Sequence, residues 1–238
     1  MKKLLMIVMA VFVSNALCFG ATQWENMGDI TILSADNVGG FGGTIDSSGL
    51  YLDKDSPTGS GTHLEIVNGG SISGVLYAYT NSTVLTQGNA YIGSTVAALN
   101  KAIISLNDDT IISGNLQADH DTKVTMHDNT SVEGLIHAHR NGILDIYVQE
   151  FAIDGGITYG DEGVYDLNYY GSAHTYGRTG SISGIMEGGL EFNNSWHVYN
   201  LGYNYAGTGT INIHVVPEPM TMSLIALGGI VAIRRRKI

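Results

Sequence analysis

The sequence predicts an all-β fold, namely a single-stranded parallel β-solenoid of about 20 residues per coil. From His63 onward the chain aligns with itself at a fixed offset of 20 residues, and apolar residues alternate within each repeat. Glycine is frequent, at 32 of 238 residues, as are Ser, Thr and Asn, whereas no amphipathic helix pattern occurs between residues 21 and 216. Repetition, alternation and turn-rich composition together indicate stacked short strands.

The repeats define the coils. Four ungapped repeats cover residues 63–82, 83–102, 103–122 and 123–142, and a fifth starts at Ile143 and slips by one residue after Ala152. Position 2 holds Leu64, Val84, Ile104, Val124 and Leu144, and position 4 holds Ile66, Thr86, Leu106, Met126 and Ile146. Position 10 holds Ile72, Ile92, Ile112, Val132 and Ile153, and position 14 holds Leu76, Val96, Leu116, Ile136 and Ile157. Small residues fill position 12, with Gly74, Ser94, Gly114, Gly134 and Gly155, and position 16, with Ala78, Ala98, Ala118, Ala138 and Thr158.

Stacking explains these columns. One coil cannot bury its own apolar residues. Coils stacked about 4.8 Å apart place the same repeat position of each coil directly above that of the previous one, so the apolar positions form a continuous core. Even positions then point inward and odd positions face solvent, and small residues at position 12 let the chain bend between two short strands. The pattern resembles the passenger stalks of autotransporters and the filamentous-haemagglutinin type of adhesin. A right-handed winding is the expectation.

The body over 21–215 is expected to form one domain, with regular coils over 63–158 and an irregular cap over 159–215. Residues 30–33 and 43–45 resemble irregular coils upstream, and 180–185 resembles one downstream because it repeats the Ser-Ile-Ser-Gly of 71–74. The Tyr-rich segment 159–205 is interpreted as larger coils and a cap that protects the open end from aggregation. A separate jelly-roll domain is the alternative there.

The amino terminus predicts a Sec signal peptide over 1–20. Lys2 and Lys3 precede an apolar run over 4–13, which is followed by small and polar residues. Cleavage fits after Gly20 or after Ala16. If it follows Gly20, the mature chain has no cysteine, because the single Cys of the sequence is Cys18, and neither a disulfide nor a thiolate site is then available.

The carboxyl terminus, residues 216–238, has three parts in order. They are Val216, Pro217, Glu218 and Pro219, then an apolar segment over 220–233 expected to form a transmembrane helix, then a basic end over 234–237 that includes Arg234, Arg235 and Arg236. This order resembles the PEP-CTERM sorting signal of Gram-negative bacteria. The resemblance implies transient anchoring in the inner membrane, processing by exosortase, and association with exopolysaccharide and biofilm matrix.

The charge of the body excludes one class of partner. Between residues 21 and 216 there are 21 acidic and 5 basic residues, a net charge of −16. Nucleic acid is therefore excluded as a partner, because it needs a basic surface. Loose association with calcium, through Asp108 and Asp109 or through Asp119 and Asp121, is an alternative to a simply solvated acidic surface. No other cofactor is expected.

One outward cluster contains groups that could support chemistry. In the repeat frame Asp119 lies beneath His139, and Asp119, His137, His139 and Arg140 come close together. Two imidazoles and a carboxylate could hold a divalent metal, or a His and Arg could transfer protons beside a uronic acid. The favoured interpretation is that these are exposed solenoid rungs, with no catalytic or metal-ligating residue.

The aromatic residues near the end of the body have two possible roles. These are Tyr165, Tyr169, Tyr170, Tyr176, Trp196 and Tyr199. Packing in the core or cap is favoured, and stacking on sugar rings is the alternative.

The expected function is that of an exported structural or adhesive protein at the cell surface or in the extracellular matrix, and not of an enzyme. A carbohydrate-active β-helix enzyme, either a polysaccharide lyase or a hydrolase, and a calcium-binding matrix protein are the alternatives. The expected partners are the Sec export machinery, exosortase, exopolysaccharide and, transiently, the inner membrane.

Overall fold

The computed structural model describes residues 30–32, 37–38, 50–52, 61–174, 177–199 and 208–216. It confirms an all-β fold with a parallel β-solenoid of about four turns and about 20 residues per coil. The predicted signal peptide and the predicted apolar helix over 220–233 lie outside the described residues and stay predictions. The same holds for the irregular coil predicted at 43–45.

Strands are short in the coils and longer near the carboxyl end. An irregular first coil contains β1 (Ile30–Ile32), β2 (Asn37–Val38) and β3 (Leu50–Leu52). The regular coils contain β4 (His63–Val67), β5 (Ser71–Ile72), β6 (Leu76–Ala78), β7 (Thr83–Gln87), β8 (Tyr91–Ile92), β9 (Val96–Leu99), β10 (Ile103–Leu106), β11 (Ile111–Ile112), β12 (Leu116–Asp119), β13 (Lys123–Met126), β14 (Ser131–Val132) and β15 (Ile136–Ala138). There follow β16 (Ile143–Ile153), β17 (Thr158–Tyr159), β18 (Gly163–Asp166), a 3-10 helix (Leu167–Tyr169), β19 (Ser172–His174), β20 (Gly177–Met186), β21 (Glu191–Tyr199) and β22 (Thr210–Val215).

Each regular coil contributes three strands, and like strands stack in parallel to form three faces. The first face is β1, β4, β7, β10, β13, β16 and β22, in that order. The second face is β2, β5, β8, β11 and β14. The third face is β3, β6, β9, β12, β15 and β21. The predicted register of 20 is confirmed, since Ile104 lies opposite both Val84 and Val124.

The core runs along the axis of the stack. In the four regular coils, side chains at positions 2, 4, 10, 14 and 16 are at most 5% exposed, which confirms the predicted inward columns. Thr86 is the one polar member of these columns. Its hydroxyl lies 2.7 Å from the hydroxyl of Thr110 and accepts a hydrogen bond from the Asn107 amide at 3.1 Å. The buried hydroxyl is therefore satisfied, as burial of a polar group requires.

Two of the corners between faces contain residues with a left-handed backbone. After the first face, position 6 has positive φ in every regular coil, at Asn68, Gly88, Asp108 and Asp128. After the third face, paired residues do the same, for example His120 and Asp121, each at φ 57°. Asn, Asp and Gly suit such turns because they pay little steric cost there.

The fifth repeat differs from the prediction after Ile146. β16 stacks on β13 from Ile143 to Ile146 but then continues as one long strand, and its last part pairs antiparallel with β20. Ile157, predicted at an inward column, is 78% exposed, and Thr158 lies in β17, antiparallel to β16. The slipped columns were therefore wrong, because the chain leaves the coil path and forms an antiparallel excursion.

The prediction that residues 180–185 form a further coil of the solenoid was also wrong. It lies in β20, which pairs antiparallel with both β16 and β21. The turn between β20 and β21 contains Gly188 and Gly189, and the Gly189 amide donates to the Met186 carbonyl at 2.9 Å. This turn makes a hairpin, so the same Ser-Ile-Ser-Gly letters as in 71–74 adopt a different strand orientation.

The chain then returns to the solenoid. β21 stacks in parallel on β15, with Trp196 opposite Ile136, and β22 stacks in parallel on β16. β18 pairs antiparallel with β22 and covers its outer edge. At the end of the second face, the Asn194 side chain donates to the carbonyls of Val132 at 2.5 Å and Gly134 at 3.2 Å. Strand edges at this end of the stack are thus covered by the chain itself.

Aromatic residues pack between the excursion and the core. Phe151 is fully buried and contacts Tyr159 and Tyr165, with ring centroids 4.9 and 5.1 Å apart. Trp196 is fully buried, whereas Tyr169 is 80% exposed. Tyr176 lies outside the described residues.

Candidate functional site

The predicted cluster lies on the outer side of the third face, where β12, β15 and β21 stack. Gln117, His137 and His197 lie opposite one another on these three strands. Position 15 is odd, so the alternation of side chains directs all three away from the core. His139 and Arg140 follow β15 directly, in the corner that leads to the next coil.

Asp119 is held by Arg140. The Arg140 guanidinium reaches across from the next coil, and its Nε donates to Asp119 Oδ1 at 2.6 Å while its Nη2 donates to Oδ2. Asp119 is only 1% exposed, although its position is odd, because neighbouring side chains cover it. His120 Nδ1 also lies 3.4 Å from Asp119 Oδ1, and Gln117 donates to Oδ2 at 3.4 Å. A two-pronged pair of this kind compensates the charge of a buried carboxylate.

His137 and His139 contact each other. His139 Nε2 lies 3.2 Å from His137 Nδ1, and the two rings are nearly perpendicular, at 79°. Burial lowers the pKa of His137 to about 4, with further lowering from the neighbouring imidazoles of His139 and His197. Burial likewise lowers the pKa of His139 to about 4, against the opposing effect of Asp119. Both imidazoles are therefore neutral at pH 7.

The site contains two residues that the repeat analysis did not place there. His197 and Tyr199, from β21, lie beside the histidines, with the Tyr199 ring 3.8 Å from that of His139 and 3.7 Å from that of His197. Trp196, His197 and Val198 show the same inward and outward alternation as Ile136, His137 and Ala138. That alternation was the available signal, but the offset is 60 residues rather than 20.

A second polar cluster lies on the first face around Asp145, which is 5% exposed. Its carboxylate accepts from Asn212 at 2.9 Å, and lies 3.0 Å from His214 Nε2 and 3.3 Å from Lys123 Nζ. Burial acts to raise the pKa of Asp145, but the hydrogen bonds from Asn212, His214 and Lys123 outweigh it and lower the pKa below 3.8. The Tyr147 ring stacks on His214, with centroids 4.5 Å apart. These contacts tie β22 to β16.

Several acidic side chains that suggested calcium are used by the turns. Asp108 accepts from the Gly88 amide at 2.7 Å, and Asp128 accepts from the Asp108 amide at 3.1 Å. Asp109 and Asp121 each accept from an Asn side chain of the next coil, at 2.9 and 3.0 Å. Within the described residues no group of three or more His, Cys, Asp or Glu side chains is arranged to hold a metal ion.

Of the predicted sorting residues, only Val216 lies within the described part of the chain. Its amide donates to the Val148 carbonyl at 2.9 Å, so it continues the pairing of β22 with β16. Pro217, Glu218, Pro219, Arg234, Arg235 and Arg236 lie outside the described residues.

No protein-family model, no curated protein and no solved structure matches this chain. Among the residues that the structure describes, no helix has the length and apolar character needed to cross a membrane.

Proposed function

We propose that this protein is an exported structural and adhesive component of the cell surface or extracellular matrix, and that it is not an enzyme. The observation that carries the proposal is the continuous stack of coils. Parallel pairing keeps a register of 20 residues through the four regular coils, over a core that is almost fully buried. Such a stack suits a rigid scaffold that repeats its outward surface from coil to coil.

The chemistry of the candidate site supports a role without catalysis. A carboxylate that acts on a substrate must be within reach of it, but Asp119 is buried and both of its oxygens are bound by Arg140. The same contact occupies the Arg140 guanidinium, which a lyase would need beside a uronic acid. A depression of about 460 Å³ lies elsewhere, at the end of the second face, and is open to solvent between Asp109, Asn129 and Leu190. Shallow surfaces of this kind suit adhesion more than catalysis.

The proposed route to the surface rests on the tail. β22 ends at Val215, and the Pro217-Glu218-Pro219 sequence follows after one residue. The resemblance of this tail to a PEP-CTERM signal supports export by the Sec machinery, transient anchoring in the inner membrane and processing by exosortase. Exopolysaccharide is the proposed matrix partner.

Expression of two versions in the native host tests the proposal. They are the full chain and a chain with Pro217, Glu218 and Pro219 changed to Ala. The full chain should reach the matrix fraction, whereas the triple-alanine version should stay in the inner membrane with an intact tail. Equal distribution of the full chain and the triple-alanine version would contradict the sorting route.

A cluster variant tests the absence of catalysis. In a host that lacks the protein, matrix attachment should be restored by the full chain and equally by a His137→Gln, His139→Gln version, because a scaffold needs its shape and not proton transfer. Circular dichroism should first show that this version is folded. If a folded version fails to restore attachment, or if the full chain releases soluble sugars from the matrix, the structural role is wrong.

A further inference from the structure

The contact between His137 and His139 has the dimensions of a chelate. Their facing nitrogens are 3.2 Å apart, and a transition metal binds imidazole nitrogen at about 2.0–2.1 Å. A metal at that distance from both nitrogens would have an N–metal–N angle of about 100°. This lies between the roughly 90° of a square-planar site and the roughly 109° of a tetrahedral one, so the separation of the two nitrogens fits either geometry.

We infer that His137 and His139 form a two-histidine site for one divalent transition-metal ion, with water in the remaining coordination positions. His137 lies in β15 and His139 follows that strand directly, and their ring centroids are 5.0 Å apart. Both residues are partly exposed. Asp119 takes no part, because Arg140 holds both of its oxygens.

The donor set indicates which ion is preferred. Imidazole suits Cu²⁺, Ni²⁺ and Zn²⁺, and affinity for nitrogen ligands is highest for Cu²⁺. Calcium and magnesium prefer oxygen ligands and are not expected to bind here. This site is thus distinct from the calcium association considered for the acidic turns.

Titration of the full-length protein with CuSO₄ at pH 6.0 by calorimetry tests the inference. One equivalent of Cu²⁺ should bind, more tightly than Ni²⁺ or Zn²⁺. His137→Gln and His139→Gln should each lower the affinity for Cu²⁺ at least tenfold. His120→Gln is the matched control and should leave it unchanged, because His120 contacts Asp119 and lies outside the pair.

Electron paramagnetic resonance on the unaltered protein gives an answer even if a variant fails to fold. One equivalent of Cu²⁺ should show hyperfine coupling to two imidazole nitrogens. Coupling to fewer than two nitrogens would overturn the inference, as would binding spread over the other six of the 8 histidines with no effect of His137→Gln. Neither result depends on where the protein is sorted, so the proposed function would stand or fall separately.

Discussion

At the scale of single residues, Asp119 and Asp145 are two carboxylates that are both almost fully buried but are held by different partners. The Asp119 carboxylate accepts two hydrogen bonds from the Arg140 guanidinium. The Asp145 carboxylate instead contacts three different side chains, those of Lys123, Asn212 and His214. A buried charge that loses its main partner is left without compensation, and this costs more than the pair itself contributes. Arg140 should therefore matter far more to stability than Lys123, whose side chain is 52% exposed.

Arg140→Gln should lower the free energy of unfolding by about 3–5 kcal/mol, because it leaves the Asp119 charge buried and unpaired. The double variant Asp119→Asn, Arg140→Gln should recover most of this loss. Lys123→Gln, the matched control, should cost no more than about 1 kcal/mol, as expected for a partly exposed pair. Urea unfolding at pH 7 measures all three. Equal losses for Arg140→Gln and Lys123→Gln would contradict the assignment.

The histidine pair makes stability depend on pH. Because the pKa of His137 and His139 is about 4 in the fold and 6.5 in an unfolded chain, the fold favours the neutral rings. Their contribution should be complete above pH 6.5 and lost progressively as pH falls toward 4. For His137 the shift corresponds to about 3 kcal/mol, and less for the more exposed His139. The hydrogen bonds from Asn212, His214 and Lys123 lower the pKa of Asp145 against the effect of burial, so this carboxyl is shifted away from the pH range of the histidine pair.

Urea unfolding at pH 7.0 and pH 4.5 checks this dependence. Between these two pH values, the free energy of unfolding of the unaltered protein should fall several-fold more than that of the His137→Gln, His139→Gln variant. An identical loss in both proteins would assign the pH dependence to other groups.

The sequence predicted which residues of the cluster lie close together, but not how deeply they are buried or which other residues join them. The repeat frame placed Asp119, His137, His139 and Arg140 together because each coil adds one rung. It did not predict that Asp119 is buried, because burial at an odd position depends on the reach of Arg140 from the next coil. The participation of His197 and Tyr199 depends on β21, which returns only after the antiparallel excursion.

At the scale of elements, the tight packing of successive coils at position 12 limits what each coil can contain. A Cβ atom at Gly114 would lie 2.5 Å from the Ser94 carbonyl carbon, and one at Gly134 would lie 2.6 Å from the Gly114 carbonyl carbon. Both contacts are to backbone, which cannot move without shifting a coil. This column was predicted as small, and the backbone contact is the physical reason.

Gly114→Ala should destabilise the fold by about 1–3 kcal/mol, since a Cβ pressed against backbone forces the coils apart. Gly160→Ala is the control, because a Cβ there would meet only the Glu150 Cβ, at an ordinary 3.9 Å. Thermal unfolding followed by circular dichroism should show a large loss for the first and little change for the second. A small loss at Gly114 would mean that the coils are not packed as closely as described.

The strand elements that sequence predicted best are those of the regular coils, because inward columns recur at one fixed spacing. The start of β16 was predicted correctly, but its later part, β20 and β21 were not, since an isolated apolar alternation does not tell whether the next strand pairs in parallel or antiparallel. The Gly188-Gly189 turn decides the orientation of β20 and β21, and Gly-rich turns are frequent throughout the chain.

At the scale of the whole molecule, the chain itself covers the carboxyl end of the described stack. At the carboxyl end, β18 covers β22, and Asn194 caps the last carbonyls of the second face. β22 leads directly into the tail, so the tail begins beside the covered end of the stack. A scaffold held by such a tail would have its amino-terminal coils farthest from the point of attachment.

The most direct test of the proposed role is the intact mass of the mature protein purified from the surface or matrix of its native host. We predict a chain that lacks the signal peptide and ends between Val216 and Pro219, and whose melting temperature is unchanged by calcium or by a chelator of calcium. A mass that includes Arg234, Arg235 and Arg236 would contradict processing of the tail. A melting temperature that depends on calcium would contradict a scaffold without metal and support a calcium-binding matrix protein.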